Sequence, residues 1–396
     1  MTNLHVAIVG AGIGGLTAAL ALEAAGHRVS LIERRTGFSE VGAGLQLSPN
    51  ASRVLIGLGL GNALRRAATE PPSVTVRALG TARVIGGVKL GAAARERFGA
   101  PYYVIHRADL QTLLLDAVRA RAGIRLLMGR DVVALAEGQD GASLTLESGQ
   151  GTKTEELPAD LMVGADGVRS RLRQHLDAQP LRSLGQAAWR AILPREAAPP
   201  ELQGDETGLW LGRGRHVVHY PISGGTQINV VAVVPEKLGS EGWGQLGEPA
   251  IVRAQFRDAA PALTALLGVP DSWLVWSLVD RRPARPMARG RIALIGDAAH
   301  PVLPFLAQGA ALAIEDAAVL AQGLRGGDIA ACLDAYAASR SARSRRVRNA
   351  ARANGRTYHA GAIMGFARNL VMRRLGPSGM SERYAWLYGW TPDGTA

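Results

Sequence analysis

Gly10-Ala11-Gly12-Ile13-Gly14-Gly15 sets glycines in the spacing G-x-G-x-x-G between an apolar run at 4–9 and an Ala/Leu-rich run at 14–25. Glycines there permit a tight strand-to-helix turn and let backbone N–H groups approach a pyrophosphate, which the positive end of the helix dipole favours. Glu33 ends the next apolar run, 28–32, where its carboxylate is placed to accept hydrogen bonds from an adenosine ribose. Dinucleotide binding is the chemistry this predicts, and the motif serves FAD and NAD alike. Two later apolar runs also end in aspartate. Gly164-Ala165-Asp166-Gly167-Val168-Arg169-Ser170 follows 160–163, and Gly296-Asp297-Ala298-Ala299-His300-Pro301 follows 291–295. Such an aspartate can bind the hydroxyls of a sugar-like chain or cap its own turn. His300 reads as a turn cap, with catalysis as the second reading. His216 and Tyr220 stand four apart in a predicted strand, so their side chains share one face while His219 takes the other. Arg190 reads as half of a structural ion pair, with a ligand carboxylate as the alternative partner.

These residues need elements to hold them. The order strand, helix, strand over 4–33 is a βαβ opening. Ser48, Pro49 and Asn50 supply helix-start chemistry and predict a helix from about 50. Residues 107–122 predict another helix, followed by short strands at 125–128 and 143–146. Between 181 and 279 the pattern changes to short β-like runs at 187–193, 208–211, 216–222 and 227–234, with Gly212/Gly214 and Gly224/Gly225 where hairpin turns fall. This predicts an antiparallel sheet. A buried strand at 291–295 and a long helix at 307–324 return the chain to the first unit, and 328 onward is mostly helical.

Composition narrows the class. With 47% hydrophobic and 20% charged residues the chain lies in the globular range, and no apolar run is long enough to span a bilayer. The first residues lead straight into a strand without a signal peptide's basic region, so a cytoplasmic protein with no membrane partner is expected. Cys332 is the only cysteine, which excludes an intrachain disulfide or a multi-cysteine metal site; a buried small apolar role and no metal are expected. A net charge of +12 fits nucleic acid, a membrane surface or anionic small molecules. The densest basic run, 340–356, has helical spacing without interleaved aromatics and reads as a solvated helix face. Anionic small molecules, and no nucleic acid, are the expected partners.

In this order and spacing, the three motifs resemble the flavoprotein aromatic hydroxylases that share the p-hydroxybenzoate hydroxylase fold. The resemblance is closest to salicylate hydroxylase, 3-hydroxybenzoate 6-hydroxylase and 6-hydroxynicotinate 3-monooxygenase. It covers nearly the whole chain, because Val41-Gly42-Ala43-Gly44-Leu45-Gln46-Leu47-Ser48-Pro49-Asn50, His106-Arg107-Ala108-Asp109-Leu110 and Pro304-Phe305-Leu306-Ala307-Gln308-Gly309-Ala310 match the same pattern. It implies an α/β fold: a Rossmann-like FAD-binding domain (1–72, 98–180 and 280–340), an inserted antiparallel-sheet substrate domain (73–97 and 181–279) and C-terminal helices (341–396). It also implies noncovalent FAD, NADH or NADPH as a transiently bound co-substrate, O2, and a monomer or homodimer. The reaction implied is hydroxylation of a small hydroxylated aromatic or pyridine carboxylic acid, with or without loss of CO2, through a flavin C4a-hydroperoxide. A flavin halogenase is disfavoured because Trp273-Leu274-Val275-Trp276 lacks the W-x-W-x-I-P pattern. The late Gly-Asp argues against an NAD-dependent dehydrogenase. A flavin oxidoreductase of the same fold and a non-catalytic FAD-binding sensor stay open.

Carried over residue by residue, the resemblance places Gly14, Glu33 and Arg34 around the adenosine half of FAD, with the backbone of Val132 at the adenine and Gly10, Gly12 and Gly15 in the same cofactor set. Arg107 would contact the pyrophosphate, Asp297 the ribityl hydroxyls, and Asp166 belongs to the same cofactor set. Gly309 and Ala310 would offer N–H groups to the pyrimidine edge of the flavin, at a helix N-terminus that favours the anionic reduced ring. Ala307 departs from the glycine common there. The substrate pocket would be lined by Gln46, Thr207, His216, Tyr220, Pro304 and Phe305. His216 would remove the ring-hydroxyl proton, as an imidazole titrating near ~6.5. Tyr220 would orient the substrate, and the Pro304 carbonyl would position the peroxide.

Overall fold

The computed structural model describes residues 3–38, 43–138, 141–148, 154–236 and 243–393; Val41 and Gly42 of the matched segment lie outside them. β1 (His5–Val9), α1 (Ile13–Ala24) and β2 (Arg28–Glu33) form the expected opening. They belong to a six-stranded sheet in the order Ala288–Arg289, Ile292–Leu294, Leu161–Gly164, β1, β2, Ile124–Met128. All neighbours in it are parallel except the first pair. Strands covered on both faces read as continuous apolar runs, and Val6, Ala7, Ile8, Leu161, Met162 and Val163 are fully buried. α1 is apolar nearly all round because the helices Gly309–Gly323 and Arg107–Arg119 pack against it.

The eight-stranded sheet runs Trp243–Gly247, Trp273–Asp280, Arg182–Pro194, Gln227–Pro235, His216–Ile222, Thr207–Leu211, Ser73–Ala78, Val84–Lys89. It is antiparallel except that Thr207–Leu211 and Ser73–Ala78 pair in parallel, so the expectation of a wholly antiparallel sheet needs that correction. Ser73–Ala78 comes from far earlier in the chain, and no hairpin dictates its direction. Three of the four expected hairpin glycines have the left-handed conformation, with φ of +73° at Gly214, +64° at Gly224 and +89° at Gly225, whereas Gly212 does not. One face of this sheet, with Trp189, Trp210, Val217 and Val230, forms its own core with the helix Pro261–Gly268. Period-two alternation puts Arg190, Thr207, His216, Tyr220 and Asn229 on the other face.

Three helices close the chain: Ile329–Tyr358, Ala362–Arg383 and Ala385–Tyr388. The first overturns the reading of 340–356 as a solvated face. Arg340 and Arg348 are buried; Arg340 pairs with Glu315 (2.8 Å) and Asp316 (2.6 Å), and Arg348 with Asp280 (2.7 Å). Arg345, Arg346 and Arg356 do face solvent. Cys332 is half-buried rather than buried, its thiol donating to the Gly323 carbonyl at 3.0 Å. No helix among the described residues is long and apolar enough to cross a membrane.

Candidate active site

The glycines of the first motif are fixed by close approach. Gly10 has φ of +102°, and a Cβ on it would lie 2.6 Å from the Ala165 carbonyl oxygen. A Cβ on Gly15 would lie 1.8 Å from the Gly10 oxygen, which no side chain tolerates. Gly14 and Gly296 both face Ala313, at 3.1 and 2.9 Å from their built Cβ positions, so the Gly309–Gly323 helix is drawn in between the two motifs. Beside Gly12 nothing comes within 4 Å, which leaves its side of the turn open to a ligand. Glu33 reaches back to this turn, accepting the Ala11 N–H at 3.0 Å. Arg34 is exposed next to it.

Both later aspartates stand at the ends of their strands. Asp166 accepts the first N–H of the following helix, that of Arg171, at 2.8 Å, beside the Ser170 cap, while its other oxygen, Oδ1, is buried without a partner. One carboxylate oxygen is thus engaged by the backbone and the other is left without a protein partner. Val132 is buried at a β-bulge, and Arg171 donates to its carbonyl. Asp297 projects into a cleft: its side chain is solvent-accessible, yet the surrounding protein displaces enough water to raise its carboxyl pKa, with His300 and Arg107 pulling the other way. The same Asp297 opposes the lowering that burial imposes on Arg107. His300 takes no part in the cleft. It is buried against Asp316 at 2.6 Å; burial pushes the Asp316 carboxyl up, but the interactions with His300 and Arg340 and the hydrogen bonds it accepts outweigh this and hold it at about 2.

The Ser48-Pro49-Asn50 motif is used differently from its helix-start reading. The helix does begin at Pro49, but Ser48 makes no side-chain cap. Its hydroxyl donates to Asn50 Oδ1 (2.6 Å) and accepts from Gln308 Nε2 (2.9 Å), while Asn50 donates to Gln308 (3.1 Å) and Glu315 (2.6 Å). This buried network fixes the N-terminus of the Gly309 helix. The predicted start at 307 moves to Gly309 because Ala307 is left-handed, with φ of +52°. That conformation favours glycine. First-turn N–H groups of a helix lack intrahelical acceptors, which leaves those of Gly309 and Ala310 without an acceptor inside the helix.

Across the cleft stands the open face of the eight-stranded sheet. Gly44 crosses it so closely that a Cβ there would sit 2.4 Å from the Tyr220 ring, and its N–H donates to Asn229 Oδ1 at 2.7 Å. Two residues on, Gln46 accepts from the Tyr102 hydroxyl at 2.5 Å. Tyr220 is buried, and burial raises its pKa against the pull of Arg190 and of a hydrogen bond with Gln46. Thr207 is buried with its hydroxyl unpartnered. His216 is buried too; burial first, and His359 second, lower its pKa to about 3 instead of the ordinary imidazole value expected. Its ring meets Phe305 edge-on at 5.6 Å and Tyr358 at 5.5 Å. Pro304 is exposed, and its carbonyl accepts the Ala307 N–H at 2.9 Å. Arg190 makes no ion pair among the described residues, which corrects its structural reading: the guanidinium lies 5.1 Å from the Trp276 ring centroid, and its buried Nε has no partner.

The sequence reading misses Tyr102, Asn229 and the pair Tyr358 and His359. The last two come from the end of the Ile329–Tyr358 helix, whose Gly355 leaves room for Phe305: a Cβ there would lie 2.7 Å from that ring. A glycine inside a helix is the one local signal of such packing.

A glycine turn open at Gly12, a ribose-competent Glu33, the facing pair Asp297 and Arg107, and free N–H groups at Gly309 make a donor set suited to a flavin dinucleotide. The family model described as "FAD binding domain" matches residues 3–351. The chain belongs to that family. Its FAD would be held by these groups. Among known members, the 3-hydroxybenzoate 6-hydroxylase of Polaromonas naphthalenivorans (strain CJ2) is 34% identical over 391 residues, 98% of this chain and 96% of its own. The 6-hydroxynicotinate 3-monooxygenase of Bordetella bronchiseptica is 34% identical over 88% of this chain and 91% of its own. The structure of a salicylate hydroxylase substrate complex superposes with a TM-score of 0.83, at 26% identity and over 99% of this chain and 96% of that one. The family therefore bears out the α/β fold with a Rossmann-like unit and the expectation of FAD.

Proposed function

We infer that this flavoprotein is a monooxygenase that hydroxylates a small hydroxylated aromatic or pyridine carboxylic acid with NADH or NADPH and O2. The observation that supports the reading is that His216 and Tyr220 share one sheet face and His216 meets Phe305, whose turn leads straight into the N-terminus of the Gly309 helix, where the reacting ring of FAD would lie. Relatives named for hydroxylating 3-hydroxybenzoate and 6-hydroxynicotinate support the substrate class. FAD, when bound, supplies electrons from NAD(P)H and an electrophilic oxygen atom from O2.

The chain's own groups do the rest. His216 is neutral at ordinary pH because its pKa is held down near 3, so a ring nitrogen is available to accept the substrate's hydroxyl proton and enrich the ring in electrons. Tyr220 stays protonated and donates a hydrogen bond that orients the substrate. Thr207 has a buried hydroxyl, and Gln46 an amide, to complete the polar lining. Phe305 and Tyr358 close over His216 and keep water from the reacting oxygen. We assign the enzyme to the cytoplasm on its sequence.

The test is a panel of hydroxybenzoates and hydroxypyridine carboxylates added to the yellow protein, with NADH and NADPH oxidation followed by absorbance and products by mass. A hydroxylase oxidises NAD(P)H faster with its substrate and yields a hydroxylated product. A sensor binds ligand without consuming NAD(P)H.

A further inference from the structure

His216 does not stand alone on its strand. Its Nδ1 meets His359 Nε2 at 2.8 Å, and His359 Nδ1 meets the side-chain amide of Gln186 at 3.0 Å. The rings are tilted against each other with centroids 5.0 Å apart. Burial decreases outward along this chain: His216 is 4% exposed, whereas His359 and Gln186 are each partly open to solvent. His216 Nε2 has no hydrogen-bond partner among the described residues. The placement is built rather than incidental. His359 follows the last residue of the Ile329–Tyr358 helix, and its carbonyl accepts the Gly214 N–H at 3.2 Å, tying the helix end to the hairpin that begins the His216 strand.

We propose that His359, oriented by Gln186, forms with His216 a proton relay that carries the substrate's ring-hydroxyl proton from the pocket to the surface. This rests on the reading that His216 receives that proton. In the step, the ring O–H bond breaks and its proton goes to His216 Nε2. The Nδ1 proton of His216 passes to His359 Nε2, and the Nδ1 proton of His359, which is itself partly open to solvent, leaves to water while the Gln186 amide holds the ring in place by its hydrogen bond. One proton is delivered outside, the substrate is left as the phenolate, and both imidazoles end neutral in the opposite tautomer. A primary amide offers either a donor or an acceptor on turning over, so Gln186 serves both before and after transfer. The reverse passage resets the tautomers when the oxidised ring regains its hydroxyl.

The surroundings require such an exit. His216 is held neutral by burial, and His359 is the one titratable group that acts on it; burial alone depresses His359, to about 4. The other neighbours of the pair, Phe305 and Tyr358, are uncharged. A proton resting on His216 would leave a buried cation with no carboxylate beside it, which is costly. Handing the proton on avoids that state. His359 is thus a positioning residue: it selects the His216 tautomer and drains its proton.

The experiment mixes oxidised, FAD-loaded protein with 3-hydroxybenzoate in weak buffer and follows phenolate absorbance and proton release to a pH indicator, neither of which requires turnover. In the wild type, phenolate formation and proton release coincide. His359→Gln retains an acceptor for His216 but cannot relay, and slows release about tenfold or more with ligand affinity little changed. His359→Ala is slowed likewise and recovers with added imidazole, a recovery that a merely structural defect would not show. Gln186→Leu slows release while leaving the two rings in contact. Wild-type release in His359→Gln, with ionisation abolished in His216→Gln, would overturn the relay alone. Full ionisation in His216→Gln would instead remove the base assignment on which it rests.

Discussion

Asp297 and Arg107 face each other across the cleft, and neither side chain makes a hydrogen bond to another described residue. Their polar groups are free for the cofactor, so Asp297→Ala should lose bonds to the ribityl chain at a cost of about 1–3 kcal/mol. Flavin absorbance after exhaustive dialysis reads this directly: the variant retains less FAD than the wild type, and equal retention across a dilution series would contradict the role. On the opposite wall, His216→Ala should keep its FAD but lose on the order of 10²-fold in hydroxylation rate, with more H2O2 released per NAD(P)H. If Tyr220 orients the substrate as proposed, Tyr220→Phe should weaken substrate binding by about 0.5–1.5 kcal/mol, the worth of one hydrogen bond. His219 points to the other face, toward Trp210, and serves as the control. A defect in His219→Ala equal to that of His216→Ala would show that this strand face is not the reacting wall.

At the scale of elements, the end of the Ile329–Tyr358 helix packs its last rings against His216 and Phe305, at the wall proposed to face the substrate. Gly355→Ala would ordinarily favour a helix by about 1 kcal/mol, but a Cβ lying 2.7 Å from the Phe305 ring forces that ring or the helix to move. The clash wins, and the expected result is a lower ratio of product to NAD(P)H consumed with FAD content unchanged; unimpaired coupling would show that Phe305 does not need this seat. The same helix shows where sequence reading reaches its limit. β1, α1 and β2 are legible because their glycine spacing and apolar runs are local, and the His216–Ile222 strand because alternation within seven residues fixes its faces. Arg340 and Arg348 look solvated in the sequence because their partners Glu315 and Asp280 stand 25 and 68 residues away. His359 is 143 residues from His216, and no periodicity links them. Ala307 is a case between: its departure from glycine is visible in the sequence, and its left-handed backbone gives the reason glycine is common there.

For the whole molecule, the buried neutral histidines tie stability to pH. His216 and His219 are lowered to about 3 and about 4 by burial. The unfolded chain protonates these imidazoles near ~6.5, whereas the folded protein does so only near those lower values. In that window the unfolded state binds more protons, so stability falls as pH drops from about 6.5, by up to roughly 1.4 kcal/mol per pH unit for each such histidine. Thermal midpoints measured from pH 7 to 5 should therefore decline. Replacing His219 by leucine should flatten the slope; an unchanged slope would contradict its being buried neutral. The fold as a whole brings an FAD cleft from one sheet against a polar wall from the other, and the claim that follows is oxygen transfer to an aromatic ring. The most direct test is turnover under oxygen-18 gas with each hydroxybenzoate and hydroxypyridine carboxylate that stimulates NAD(P)H oxidation, with the product examined by mass. Incorporation of one oxygen-18 atom from O2 into the hydroxylated ring is the predicted result. Oxidation of NAD(P)H that yields only H2O2 with every ligand, or a product whose new oxygen comes from water, would contradict it.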